Sequence, residues 1–266
     1  MPKVKLEDIA KEVGCSVATV SYVINNNPKQ KINPETRKRI LQVASVLGYQ
    51  KNSVASALSS GKYNLIGIYL GKPSFALETN EKFIVVDKIV SALALNGFQV
   101  VLLPSSYSKE VHCVDAIVCI GLSDEDFKII SSNNFIPVIG YDTRVHEPWI
   151  FEISCSYKGI ADKFLLDDYV FITYDIESES IKEEIKRNNK EVVFVSSFMQ
   201  LDNIKNKFND RNIVVAGNEI INYLKDKNLK LTSVFLDIDK KVNRLVSCIK
   251  IAINHSMVET HKFVID

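Results

Sequence analysis

From Leu65 to the C-terminus, short continuous apolar runs alternate with longer amphipathic stretches, and this alternation restricts the fold more than any other feature of the chain. The runs are LIGIYL (65–70), FQVVLL (98–103), DAIVCI (115–120), IPVIGY (136–141), YVFITY (169–174), EVVFVS (191–196), NIVVAG (212–217), SVFLD (233–237) and HKFVID (261–266). Helical patterns lie between them, at 82–97, 124–134 and 239–254 among others. A strand that is apolar along its whole length must be covered on both faces. Strands that alternate with helices pair in parallel through right-handed crossovers. Nine such runs exceed one ordinary sheet. The expected body is therefore α/β with two parallel-sheet subdomains, roughly 62–150 with 236–266, and 151–235.

Residues 5–49 read differently, with three short helical patterns and no strand pattern, and the composition changes near Gly61. The first helix is expected over Leu6–Val13, with Glu7 and Asp8 in its first turn, where the helix dipole favours negative charge. Gly14 ends it by supplying a left-handed turn at no steric cost. Ser16 is a good N-cap for a second helix from Val17 to Ile24, which stops in NNNP (25–28). A third helix begins with Asn33 as cap and Pro34 at its first position. Ile9, Ala10, Val20 and Ile24 have the spacing to close one apolar face, with Ile40, Val43, Ala44 and Leu47 packing behind the pair. This is helix-turn-helix logic, although a helical hairpin in an enzyme accessory domain has the same spacing.

The charge is unevenly spread. Residues 1–61 carry nine Lys/Arg against four Asp/Glu, whereas the remainder carries 24 against 28, so a net charge of +1 conceals a basic N-terminal segment on a mildly acidic body. That is what a chain needs if one module alone approaches a polyanion. The five cysteines are scattered, with no C-x-x-C pair and no His at ligand spacing, so neither a disulfide framework nor a zinc site is expected. The start MPKVKLEDIAKEVG has no apolar signal segment and no run approaches a membrane span, so a soluble, cytoplasmic chain is expected.

The stretches VKLEDIAKEVGCSVATVSYVINN (4–26), INPETRKRILQVASVLGYQKN (32–52) and NSVASALSSGKYNLIGIYL (52–70) resemble the headpiece, hinge helix and first core strand of the LacI/GalR family of repressors. VDAIVCIGLSDEDF (114–127) and LTSV (231–234) are weaker echoes. The resemblance implies an N-terminal all-α helix-turn-helix headpiece plus hinge helix (1–61), followed by a C-terminal α/β periplasmic-binding-protein-like core of two parallel-sheet subdomains (62–266). It also implies a transcriptional regulator, and most simply a repressor, that binds a palindromic double-stranded operator DNA as a homodimer. No cofactor is implied.

Carried over by resemblance, Leu6, Ser16, Thr19, Ser21, Asn25 and Tyr49 match positions that contact the DNA backbone. Val17, Ala18 and Tyr22 match positions that read bases. Asn52, Ala55 and Leu58 keep the hinge pattern, with Leu58 as the residue that wedges into the minor groove. Short hydroxyls and amides at a helix start suit phosphate oxygens, and residues one turn further reach base edges. Ser16 and Asn25 also read as plain helix caps. Tyr22 stands where relatives commonly carry Arg, and Ser56 departs from the hinge pattern in the same way.

The body departs further. Between 106 and 114 there is room only for a stub where the family inserts a helix. The glycine-ended motif that opens the second subdomain survives as Cys155, Ser156, Tyr157, Lys158 and Gly159. The segment 175–189 lacks the Arg that would contact a sugar, and 216–237 runs almost directly into LTSV. A small-molecule effector remains an expected partner, with a simple monosaccharide disfavoured. Trp149, which should lie beside the cleft, and Tyr157 are the candidate effector contacts, although an aromatic in such a place more often packs core.

Ser123 with Asp124, Glu125 and Asp126 reads as a cap with an acidic first turn. Asp167, Asp168, Asp237 and Asp239 read as solvated. No nucleophile elbow, phosphate loop or zinc-protease motif is present, so catalysis is not expected. Two other functions compete with an effector-responsive repressor. One is a regulator with a vestigial effector site, controlled by a protein partner or by its own expression level. The other is a solute-binding protein or enzyme with an added helical domain.

Overall fold

A computed structural model of the chain describes residues 4–25, 30–49, 61–104, 109–144, 147–158, 164, 166, 168–234 and 236–265, without the side chain at 205. They fall into two compact units, Met1–Gly61 and Lys62–Asp266.

The first unit holds α1 (Leu6–Val13), α2 (Val17–Ile24) and α3 (Pro34–Val46). Their ends are set by local chemistry. The Lys5 N–H donates to Asp8 Oδ2 at 2.8 Å, and Gly14 at φ 75° closes α1 by donating to the Ala10 carbonyl at 2.9 Å. Ser16 Oγ accepts from the Thr19 N–H at 3.1 Å, and Asn33 Oδ1 from the Glu35 N–H at 2.9 Å. The core of this unit is Ile9, Ala10, Val13, Val20, Val23, Ile40 and Ala44. Val23 takes the place expected of Ile24, which is half-buried. Three residues after Val20, Val23 sits squarely over the α1 stripe of 9, 10 and 13. Leu47, expected to be buried, caps α3 and stays 36% exposed, while Val43 is partly covered. The expected hinge helix, with Asn52, Ala55 and Leu58, lies outside the described residues.

The second unit carries two parallel sheets. In chain order its elements are β1 (Leu65–Leu70), α4 (Ala76–Leu95), β2 (Gln99–Leu102), β3 (Ala116–Ile120), α5 (Asp124–Asn133), β4 (Val138–Tyr141) and β5 (Glu152–Cys155). There follow β6 (Tyr169–Tyr174), α6 (Glu179–Asn188), β7 (Val192–Val195), α7 (Phe198–Phe208), β8 (Asn212–Ala216), α8 (Asn218–Leu224), β9 (Lys230–Val234), α9 (Ile238–Ile253) and β10 (Lys262–Ile265). The six-stranded sheet has the order β10-β5-β4-β3-β1-β2, and the four-stranded sheet β7-β6-β8-β9. Every pairing between these strands is parallel. The two lobes are called lobe 1 and lobe 2 below.

The doubly covered strands explain the continuous apolar runs. Ala116, Val118 and Ile120 of β3 face α4 and α9, through Ile89, Leu93, Leu245 and Ile249. Ile117 and Cys119 face α5, through Phe127 and Ile130. Lobe 2 repeats the arrangement: Val170 and Ile172 of β6 pack with Leu201 and Ile204 of α7, and Tyr169 and Phe171 pack with Ile181 and Ile185 of α6.

The expected division of the body is corrected at one boundary. Residues 152–155 form β5, which pairs with β4 and β10 and so belongs to lobe 1. This strand does not look like one in the sequence because Glu152 and Ser154 are polar, yet both are buried. Arg144 makes the burial of Glu152 tolerable by donating to it at 2.5 Å. The strand expected at 233–237 lies at 230–234, and α4 begins six residues before the start of its expected pattern. Among the described residues no helix joins β2 to β3.

Candidate nucleic-acid interface and interlobe cleft

Val20 and Val23 turn into the core of the first unit, which leaves 17, 18, 21, 22 and 25 along the opposite face of α2 at helical spacing. Val17 is 41% exposed and Tyr22 37%, and Ala18 and Asn25 are exposed as well. A short helix that spends two apolar residues on solvent presents a contact surface. Its polar residues are pre-oriented. Ser16 Oγ and Thr19 Oγ1 lie 2.8 Å apart, and Asn25 Nδ2 donates to Ser21 Oγ at 3.3 Å. Leu6 and Tyr49 are half-buried against the core, and the Tyr49 N–H donates to the Ala44 carbonyl at 2.8 Å after a left-handed Gly48. These two support the helices that carry the exposed face. Lys5, Lys11, Lys31, Lys38 and Arg39 are exposed in the same unit. The N-terminus of α2, with its unpaired N–H groups and positive dipole end, also favours an anion.

Residues 5–52 match the profile described as "Bacterial regulatory proteins, lacI family". This segment is similar to a lacI-family headpiece. The chain is 32% identical over 118 residues to the HTH-type transcriptional regulator GalS of Salmonella typhimurium, a match that covers 43% of this chain and 33% of that protein. It is 34% identical over 117 residues to a catabolite control protein A of Streptococcus mutans, covering 43% and 33%. The matched stretch thus spans a third of the length of either relative. A crystal structure of the lac repressor dimer bound to operator and the anti-inducer ONPF superposes with a TM-score of 0.64 at 16% identity, covering 99% of this chain and 96% of that one. The fold is therefore that of the LacI-type repressors, an N-terminal helix-turn-helix unit followed in the chain by a periplasmic-binding-protein-like core.

In the core, lobes 1 and 2 enclose a cavity of about 140 Å³ at the carboxyl ends of both sheets. Ile120 and Gly121 line it at the end of β3, Tyr141 and Asp142 at the end of β4, Tyr174 at the end of β6, and Ala216 and Gly217 at the end of β8. Open parallel sheets place ligand sites at this end of their strands. Where β1 ends, a Cβ on Gly71 would lie 1.9 Å from the carbonyl oxygen of the cavity-lining Gly121, so the backbones of the two turns can approach only with glycine there.

Polar connections join the lobes, among them those of Glu81, Asp124 and Arg144. Glu81 of α4 accepts from Tyr174 Oη at 3.2 Å and from the Glu219 N–H at 3.0 Å. Asp124 of α5 accepts from the Ser178 hydroxyl and from the Ser180 N–H at 3.0 Å. Arg144 pairs with Glu184 of α6 as well as with Glu152. Asp124 is thus more than the expected acidic first-turn residue, although Ser123 does cap α5. Three of the other acids expected to be solvated are also engaged: Asp168 with Arg211, Asp237 as the cap of α9, and Asp239 with Lys88.

The floor of the cavity holds Lys241, whose side chain is 4% exposed. Its Nζ lies 2.5 Å from Asp142 Oδ2 and 4.3 Å from the centre of the Tyr141 ring. Burial works against its charge, but Asp142 and its other neighbours win, and its pKa stands well above the ordinary lysine value. Burial raises the Tyr157 phenol, and burial reinforced by Glu81 raises that of Tyr174. Burial also pushes the Glu177 carboxyl upward.

Of the two expected effector contacts, Tyr157 lines this cavity. Trp149 does not: it lies 71% exposed in a separate depression with Phe135 and Met257. Lys241, Asp142, Glu78, Glu81 and Glu177 were absent from the sequence-based candidates. Asp142 directly follows an apolar run, which is the one signal that points to it, whereas Lys241 and Glu81 sit inside ordinary amphipathic helices. Among the described residues there is no cluster of three potential metal ligands, and no helix is long and apolar enough to cross a membrane. All five cysteines are free.

Proposed function

We propose that this chain is a sequence-specific DNA-binding transcription regulator that sits as a homodimer on a palindromic operator, with the interlobe cleft as a small-molecule control site. The observation that carries the reading is the solvent-facing row of α2, Val17, Ala18, Ser21, Tyr22 and Asn25, inside a segment that matches the lacI family over 5–52. A helix with such a face fits the major groove, where short side chains approach phosphates and Tyr22 approaches base edges. Repression follows if the bound dimer blocks transcription, and control follows if a ligand stabilises one arrangement of the two lobes over another. The operator bound by the lac repressor dimer, which has the same fold, and the likeness of residues 5–52 to the lacI family support this reading. Hinge residues Asn52, Ala55 and Leu58 would complete the DNA contact, with Leu58 entering the minor groove.

The test is selection of genomic fragments by the purified full chain, followed by fluorescence anisotropy on the selected duplex and on a scrambled one. Preference for a site with two-fold symmetry is the expected result. Equal affinity for both duplexes at low and physiological salt would remove the reading.

A further inference from the structure

The electrostatics of the cleft are lopsided. Among the described residues that line it, four are carboxylates (Glu78, Glu81, Asp142 and Glu177) and two are lysines (Lys82 and Lys241). Both lysines are already committed, Lys82 to Glu78 at 2.9 Å and Lys241 to Asp142 at 2.5 Å. Lys82 also donates to the Gly71 carbonyl at 3.0 Å. Glu81 is met by neutral donors only: Tyr174 Oη, the Glu219 N–H and Asn218 Nδ2. No described cation lies within ion-pair distance of Glu177. Two half-buried carboxylates therefore line the cleft without a direct ion pair, although Lys82 acts on Glu177 from further off and the Lys72 N–H donates to it, and a cation entering the cleft would meet a surplus of negative charge.

A second observation points the same way. Tyr141 lines the cavity and is fully buried, and its hydroxyl makes no hydrogen bond of ordinary geometry, although Lys241 lies beside it. Such a group is rare in a folded protein and marks a place where a bound molecule supplies the missing bond. The rest of the wall is apolar, with Ile120, Ile176 and Leu236 beside the tyrosine rings. A cavity of this order, about 150 Å³, accommodates a single aromatic ring.

Resting on the reading of the cleft as a control site, we propose that its ligand is a small primary amine with an apolar body. The ammonium group sits against Glu177 and Glu81, and the body lies among the tyrosines and Leu236. A neutral polyhydroxylated ligand does not answer the two carboxylates, and an anion is repelled by them.

The experiment is titration calorimetry on the DNA-free full chain with three ligands of one shape: benzylamine, benzyl alcohol and benzoate. Saturable heat is expected with benzylamine, binding at least tenfold weaker with benzyl alcohol, and none with benzoate. Glu177→Gln should weaken benzylamine by about tenfold or more, as loss of one charge-assisted hydrogen bond does. Tyr141→Phe should weaken it while raising the melting temperature of the free protein, because a buried unsatisfied hydroxyl is removed. Benzoate binding as tightly as benzylamine would overturn the proposal, as would absence of heat with benzylamine or unchanged affinity in both variants. Anisotropy on the selected duplex, without ligand, tests the regulator reading separately. A chain that binds benzylamine but no DNA sinks that reading alone, and one that binds DNA but ignores benzylamine sinks the amine alone.

Discussion

Arg144→Met should be among the most destabilising single changes in the core. Arg144 donates to Glu152 Oε1 at 2.5 Å and pairs with Glu184, and the side-chain exposures of Arg144, Glu152 and Glu184 are 17%, 1% and 18%. Methionine keeps most of the aliphatic stem, so packing is largely conserved and the change removes mainly charge and donors. Breaking a buried pair by deleting one partner costs about 3–5 kcal/mol, because the remaining charge is left desolvated. Glu152 meets that condition and Glu184, nearer to water, only partly. Since Arg144 is itself 17% exposed, the lower end applies, about 3 kcal/mol in urea denaturation followed by far-UV circular dichroism. The companion variant Arg144→Met/Glu152→Gln removes the buried negative charge and keeps the shape, and should recover at least half of the loss. The reasoning fails if Arg144→Met costs under about 1 kcal/mol, the range of an exposed pair, or if the double variant is no more stable than the single one.

Three further outcomes are expected. Operator affinity should fall as salt rises, with a log–log slope of about −0.9 per neutralised phosphate, because the basic first 61 residues release counter-ions from DNA; a flat plot counts against phosphate contact. Tyr22→Ala should weaken binding to the selected site by about 1–3 kcal/mol and leave scrambled DNA nearly unaffected; equal losses on both duplexes would show that Tyr22 does not read sequence. The core should lose stability in alkali. Burial pushes the Cys248 thiol from 9.0 up to about 12, the Tyr157 and Tyr174 phenols are raised, and the Asp142 partnership raises Lys241. All of these groups hold their protons longer when folded than when unfolded, so their contribution is complete below pH 9 and is lost as pH rises through the folded-state values, towards 12 for Cys248. A melting temperature that stays level or climbs between pH 8 and 11 would refute this.

The headpiece was legible almost to the residue because its signals are local. Ser16, Asn33 and Pro34 act within one helical turn, Gly14 supplies a left-handed stop, and the α2 stripe needs no distant partner to be recognised. The choice of Val23 over Ile24 escaped, since two adjacent apolar residues both fit the period and the packing of α1 decides between them, and so did the exposure of Leu47 at the end of α3. Strands β1 and β6 were legible for a related reason: covered on both faces, they are apolar throughout. β5 was hidden, because a strand that buries Glu152 needs Arg144 eight residues away, and no periodicity records such a bargain. The cleft was the least legible part. Its groups come from α4, α9 and the ends of strands in two sheets, so nothing in their sequence neighbourhoods marks them.

The sequence by itself determined the class of each segment, helical and basic before Gly61 and alternating α/β after it, because hydrophobic period, caps and charge act over a few residues. Tertiary structure alone decided which lobe claims residues 152–155, which lysine is buried, and which carboxylates face a shared cavity. Those outcomes depend on desolvation and on partners brought together across 99 residues of chain for Lys241 on Asp142 and 138 for Glu219 on Glu81. The energy of a charge is set by what surrounds it in space, and only folding establishes those surroundings.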